Sequence, residues 1–115
     1  MTHKTKWRSL TVRQLRAHRA RVARQLPNVE ATLRGALQRQ TRRCGKEGCR
    51  CVEGELHGPY IYLSVRMGER SGLLYVPADV AETITRRVEM TGRIEAALAE
   101  ISAINLELFA RGELD

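Results

Sequence analysis

Residues 59 to 77 read PYIYLSVRMGERSGLLYVP, and this stretch separates an all-helical chain from a mixed one. Tyr60, Tyr62 and Ser64 alternate with Ile61, Leu63 and Val65, the period of two that sends successive side chains to opposite faces of a strand. The charged segment RMGERSG carries two glycines, and the apolar run LLYV follows it. The spacing predicts a small β-hairpin over 59–77 that turns near Gly68, with both tyrosines on one face and the aliphatic side chains on the other.

Downstream of Pro77, Asp79 and Glu82 stand at the N-cap and N3 spacing of a capping box. Val80, Ile84, Val88, Thr91, Ile94, Leu98, Ile101, Ile104 and Leu108 then keep a helical period as far as Gly112. They predict one helix over 79–111, roughly 45 Å long at the usual rise per residue. A hairpin alone cannot cover the apolar stripe of so long a helix, so it requires N-terminal helices, a second subunit, or both. Gly92 interrupts it at a weak or closely approached point.

Upstream, Leu15, Val22, Leu26, Val29, Leu33 and Leu37 also recur at helical spacing, broken by Pro27. A proline lacks the donor N–H and clashes with the preceding turn. The pattern therefore predicts two helices, 11–25 capped by Thr11 and 28–42 capped by Asn28. Residues 1–10 show no period and read as a flexible basic arm. The expected fold is α+β and mostly α: antiparallel long helices, coiled-coil-like, joined by a metal loop over 43–58 and the hairpin, in a single domain spanning 11–115.

The metal loop is argued from RRCGKEGCRC at 42–51, with HGPY following at 57–60. The three cysteines of the chain, Cys44, Cys49 and Cys51, fall within eight positions of one another, and His57 follows six residues after the last. Three thiolates and one imidazole complete a tetrahedron around Zn²⁺. Gly45 and Gly48 permit tight turns beside the sulfurs, and the neighbouring cations favour the thiolate form. The expectation is one structural Zn²⁺ per chain held by Cys44, Cys49, Cys51 and His57. Competing readings are free thiols with a turn histidine, an iron–sulfur centre, or a catalytic zinc with water in place of His57 and Glu53 or Glu55 as base. No zinc-deaminase signature, P-loop, Ser/His/Asp set or paired-carboxylate motif appears, so no enzymatic activity is expected.

Charge supplies the second clue. Residues 1–51 carry 14 Lys or Arg against two acidic residues, a net of +12, whereas residues 52–115 carry six Arg against 11 acidic residues, a net of −5. The acidic half cannot offset the basic one, which leaves the electrostatic footprint of a nucleic-acid binder. The residues expected to contact nucleic acid are Arg13, Arg16, Arg19 and Arg24 on the first helix and Arg39, Arg42, Arg43, Lys46 and Arg50 around the metal loop. Tyr60 and Tyr62 would stack on bases or pack on a sugar edge. The bland alternatives are a solvated, salt-bridged arginine face and a tyrosine face packed on the helices.

No apolar run approaches the roughly 18 residues of a membrane span, and MTHKTKWRSL has no apolar signal core. With an odd cysteine count arguing against a disulfide framework, the expected setting is cytoplasmic.

The segment Cys44, Gly45, Lys46, Gly48, Cys49, Cys51, followed by His57, Gly58, Pro59 and Tyr60, resembles a bacterial domain family of unknown function whose genes tend to lie near transposases and other mobile-element proteins. The resemblance covers roughly residues 28–110 and implies no activity, but it is compatible with zinc and with mobile DNA. The leading expectation is a zinc-stabilised basic DNA-binding protein, an accessory factor or regulator linked to a mobile element, with DNA preferred to RNA. The second is a protein-interaction module, coiled-coil or homodimeric through the long C-terminal helix, that docks on a larger recombinase or another protein partner.

Overall fold

The computed structural model describes residues 6–26, 29–43, 54 and 56–115. Its regular elements are a helix α1 (Val12–Arg24), a strand β1 (Ala36–Arg42), two strands β2 (His57–Val65) and β3 (Gly72–Val76), and a long helix α2 (Ala78–Ala110). The strands form one antiparallel sheet in the order β1, β2, β3. Contacts divide the chain into two compact units, one of residues 1–30 with 92–115 and one of residues 31–91.

In the first unit, Thr11 caps α1 by a reciprocal pair of hydrogen bonds. Its Oγ1 accepts from Gln14 N at 3.1 Å, while Thr11 N donates to Gln14 Oε1 at 2.8 Å, which satisfies two donors that the helix start leaves without partners. Leu15 on α1 is fully buried with Trp7, Ile104 and Leu108, and Leu10, Val12 and Ala103 pack against this cluster. The far end of α2 closes with two backbone bonds, Glu113 N to Leu108 O at 2.8 Å and Gly112 N to Phe109 O at 3.0 Å. This is the Schellman pattern that satisfies terminal carbonyls.

The described part of the expected arm, residues 6–10, is not free. Residues 6–8 make a helical turn, Trp7 belongs to the buried cluster, and the Arg111 guanidinium donates to Leu10 O at 2.7 Å and to Trp7 O and Arg8 O at 3.2 Å each. One indole side chain carries enough apolar area to fix a segment that has no period of its own.

In the second unit the helix expected over 28–42 is replaced by a 3-10 turn, Val29–Ala31, and by β1. Leu33 and Leu37 do have helical spacing, but Gly35 lies between them and serves a close approach. A Cβ there would stand 2.8 Å from Leu63 Cδ1 and 2.9 Å from the Ser64 carbonyl oxygen. Residues 36–42 instead pair with β2, Leu37 opposite Leu63 and Arg39 opposite Ile61. A partner edge that bonds every second backbone group outweighs a weak local helical preference.

The hairpin forms, with β2 beginning at His57, two residues before the expected start, and with Val65 paired to Gly72 across the turn. Leu63, Val65 and Val76 are buried, and Leu33, Leu37, Ile61, Ala81, Ile84 and Val88 pack on them. The first part of α2 therefore covers the aliphatic face of the sheet with side chains at helical spacing. Its start is Ala78 rather than Asp79, so Asp79 lies inside the first turn, where its carboxylate faces the positive end of the helix dipole.

Candidate nucleic-acid interface

The pleat that sends Ile61, Leu63 and Val65 to the core sends Tyr60, Tyr62 and Ser64 the other way. Cross-strand register sets Gln38 and Tyr75 on either side of Tyr62, and Gln40 beside Tyr60. The tyrosines are therefore on the face opposite the first part of α2. The Tyr62 and Tyr75 rings meet edge to face, centroids 5.7 Å apart at 64°, a geometry favoured by the ring quadrupoles.

Between Gln40 and Arg42 the register shifts, so that Arg42 stands opposite His57. The shift is built around Gly58, whose φ of +112° belongs to the glycine region. A Cβ at Gly58 would lie 2.8 Å from the Gln40 carbonyl oxygen and 2.9 Å from Tyr60 N. A bulge of this kind re-aims side chains; the extra residue lies on β2, so it is His57 that is brought to the aromatic face, while Arg42 reaches that face by ordinary alternation from Gln38 and Gln40. The Arg42 guanidinium lies over the Tyr60 ring, 4.7 Å from its centroid, and donates to Tyr62 Oη. Arg42, His57, Tyr60, Tyr62 and Tyr75 line a shallow hollow of about 400 Å³.

Among the described residues this face carries no carboxylate. Sequence reasoning missed Tyr75, although the signal was present: a hairpin turning at Gly68 sets Tyr75 across from Tyr62. Arg39 pairs with Ile61 and so belongs to the opposite side of the strand from Arg42. Arg43 follows β1 and is exposed.

The first-helix arginines lie in the other unit and are engaged unequally. Arg19 donates bidentately to Asp115 at 2.8 and 3.0 Å and to Asn105 Oδ1 at 2.7 Å. The bonds to Asp115 raise the Arg19 pKa further, and they hold the Asp115 carboxyl down at about 2, helped by a backbone bond and the charge of Arg16. Arg16 donates to Glu113 O at 2.9 Å. Arg13 and Arg24 are exposed. The expected metal ligands Cys44, Cys49 and Cys51, and the cations Lys46 and Arg50, lie outside the described residues. His57, the fourth expected ligand, opens β2 and is half-buried.

The sheet and helices together define an α+β domain class with a three-stranded antiparallel sheet. The chain belongs to a family described as a domain of unknown function, DUF6788, whose family model matches residues 12–86. No curated protein and no solved structure matches the chain. Among the described residues, no helix is long and apolar enough to cross a membrane.

Proposed function

We propose that the chain is a zinc-stabilised basic DNA-binding protein without enzymatic activity, in the cytoplasm, an accessory factor or regulator linked to a mobile element. The observation that carries the reading is the tyrosine face, without a carboxylate among the described residues, with Arg42 clamped across Tyr60 and Tyr62, in a half-chain with a net charge of +12. Arg13, Arg24 and Arg43, with Lys46 and Arg50 in the loop, would supply phosphate contacts, whereas Arg39 lies on the side of the sheet away from the tyrosine face. Such contacts position a protein on the backbone without reading sequence. Arg16 and Arg19 contribute less, because carbonyl and carboxylate oxygens already hold them.

The metal, one Zn²⁺ bound by Cys44, Cys49, Cys51 and His57, would tie β1 to β2 just where Arg42 meets His57. Its role is to fix the loop rather than to activate water. The mobile-element link rests on the resemblance of the CGKxGCxC and HGPY segments.

The test is binding of the purified full chain to a generic DNA duplex across a salt series. Log affinity should fall linearly with log salt, with a slope near −0.9 for each phosphate neutralised. Undetectable binding to the duplex and to single strands alike at low salt would remove this reading. Metal analysis of the wild type and of His57→Ala should show one zinc per chain in the first and weakened retention in the second.

The second reading is a protein-interaction module that pairs through α2. What favours it is an exposed apolar stripe on that helix, Leu98, Leu106 and Phe109, each at least half exposed. Self-association through these side chains would yield a homodimer, and the same stripe would suit docking on a larger recombinase. Sedimentation of the wild type against Leu106→Glu distinguishes a dimer from a monomer.

A further inference from the structure

We infer that the tyrosine face of the sheet binds single-stranded nucleic acid, with unpaired bases stacked on Tyr75 and Tyr62 and the adjoining phosphate held by Arg42, which covers Tyr60. This rests on the nucleic-acid reading above and goes beyond it by naming the strandedness of the ligand and the ring that discriminates it.

Three rings share one side of a sheet whose other side carries the core. Tyr75 is 55% exposed, so it gives the fold little and offers a large planar surface to a ligand. Base faces are accessible only where a strand is unpaired, since duplex neighbours already cover them. Aromatic side chains on a flat surface are the stacking platforms of single-strand binders. Strand neighbours Gln38 and Gln40 join the rings through the register, and their amides suit polar base edges.

Charge selects the same occupant. The described part of the face has Arg42 and no carboxylate, and the segment that follows β1 adds Arg43. Arg42 is held over Tyr60 and at Tyr62 Oη, so its guanidinium is fixed at the rim of the ring cluster. A cation in that position meets a phosphate while the neighbouring base reaches the rings.

The experiment measures anisotropy of labelled probes with the metal-loaded full chain, in wild-type, Tyr75→Ala and Tyr75→Phe forms. The probes are a short single-stranded DNA, the same sequence as RNA, and the DNA duplex. Tyr75→Ala should weaken single-strand binding between about five- and a hundredfold, the range that stacking of one base is worth, and leave duplex binding within about twofold. Tyr75→Phe should retain single-strand affinity. Loss on either single strand supports the stacking face, and the arm that shows it names the polymer. Tyr75 lies outside the buried cluster, so an unchanged thermal transition will show that the variants fold.

Duplex binding that survives while Tyr75→Ala leaves both single strands unaffected overturns the stacking face alone. Binding to none of the three probes at low salt brings down the broader reading with it. A dimer that dissociates in Tyr75→Ala without any change in nucleic-acid affinity would assign the face to a second copy of the chain and overturn the inference.

Discussion

Asp115 has a carboxyl pKa of about 2 because the Arg19 guanidinium bonds both of its oxygens. A group whose folded pKa lies below its ordinary 3.8 adds stability that is present above that value and is lost as pH falls from there towards 2. An NMR titration of the Asp115 side chain should give a midpoint near 2 in the wild type and a clearly higher one in Arg19→Ala; equal midpoints would show that Arg19 is not the cause. Thr91 is a second residue whose role lies in its partners. Its hydroxyl donates to Arg87 O and accepts from Leu33 N, both at 2.7 Å, and the side chain is buried. Thr91→Val keeps the shape but leaves the Leu33 N–H without its acceptor, at a cost of about 1–3 kcal/mol, readable by urea denaturation; an unchanged midpoint would show that the bond contributes nothing net. The helical period around Thr91 put it on the apolar stripe but gave no hint of this bond, because Leu33 is 58 residues away.

Elements were legible in proportion to their length and to the chemistry at their ends. Thr11 marked the start of α1, and a regular stripe marked α2 to within about one residue at each end. Strand β2 and its partner β3 were legible because alternation and the glycines around 68–72 act within a few residues. β1 was not legible, since ALQRQTR at 36–42 has one large apolar residue and no alternation. It is a strand because β2 supplies an edge, which is information held elsewhere in the chain. Within α2, Gly92 has open space where a Cβ would be and ordinary helical surroundings. Gly92→Ala should therefore stabilise the protein by about 0.5–1 kcal/mol, through the lower entropy of the unfolded chain. Thermal unfolding checks it, and a lowered midpoint would mean that the position serves a close approach in an assembly.

For the whole molecule, the proposed metal loop belongs by sequence to the unit of residues 31–91, while the single tryptophan, Trp7, is buried in the other unit. Structural zinc in small peptides is worth on the order of 10 kcal/mol, comparable to the entire stability of a small domain. Chelation should accordingly expose the amides of β1, β2 and β3 to hydrogen exchange while Trp7 emission stays at its folded wavelength. Sheet protection that persists without metal would argue against a stabilising zinc. The candidate site divides along the same line between near and distant information. Spacing alone brought Cys44, Cys49, Cys51 and His57 together as candidates, and local alternation put Tyr60 and Tyr62 on one face, because both depend on neighbours in the chain. The sequence by itself determined the charge asymmetry, the caps, the long helix and the hairpin. Only the tertiary structure decided that β1 is a strand, that Trp7 anchors the N-terminal segment, that Tyr75 and Arg42 join the tyrosines, and that Asp115 occupies Arg19. Each of these depends on groups tens of residues apart, whose pairing energy is realised only when the chain has closed the loop between them.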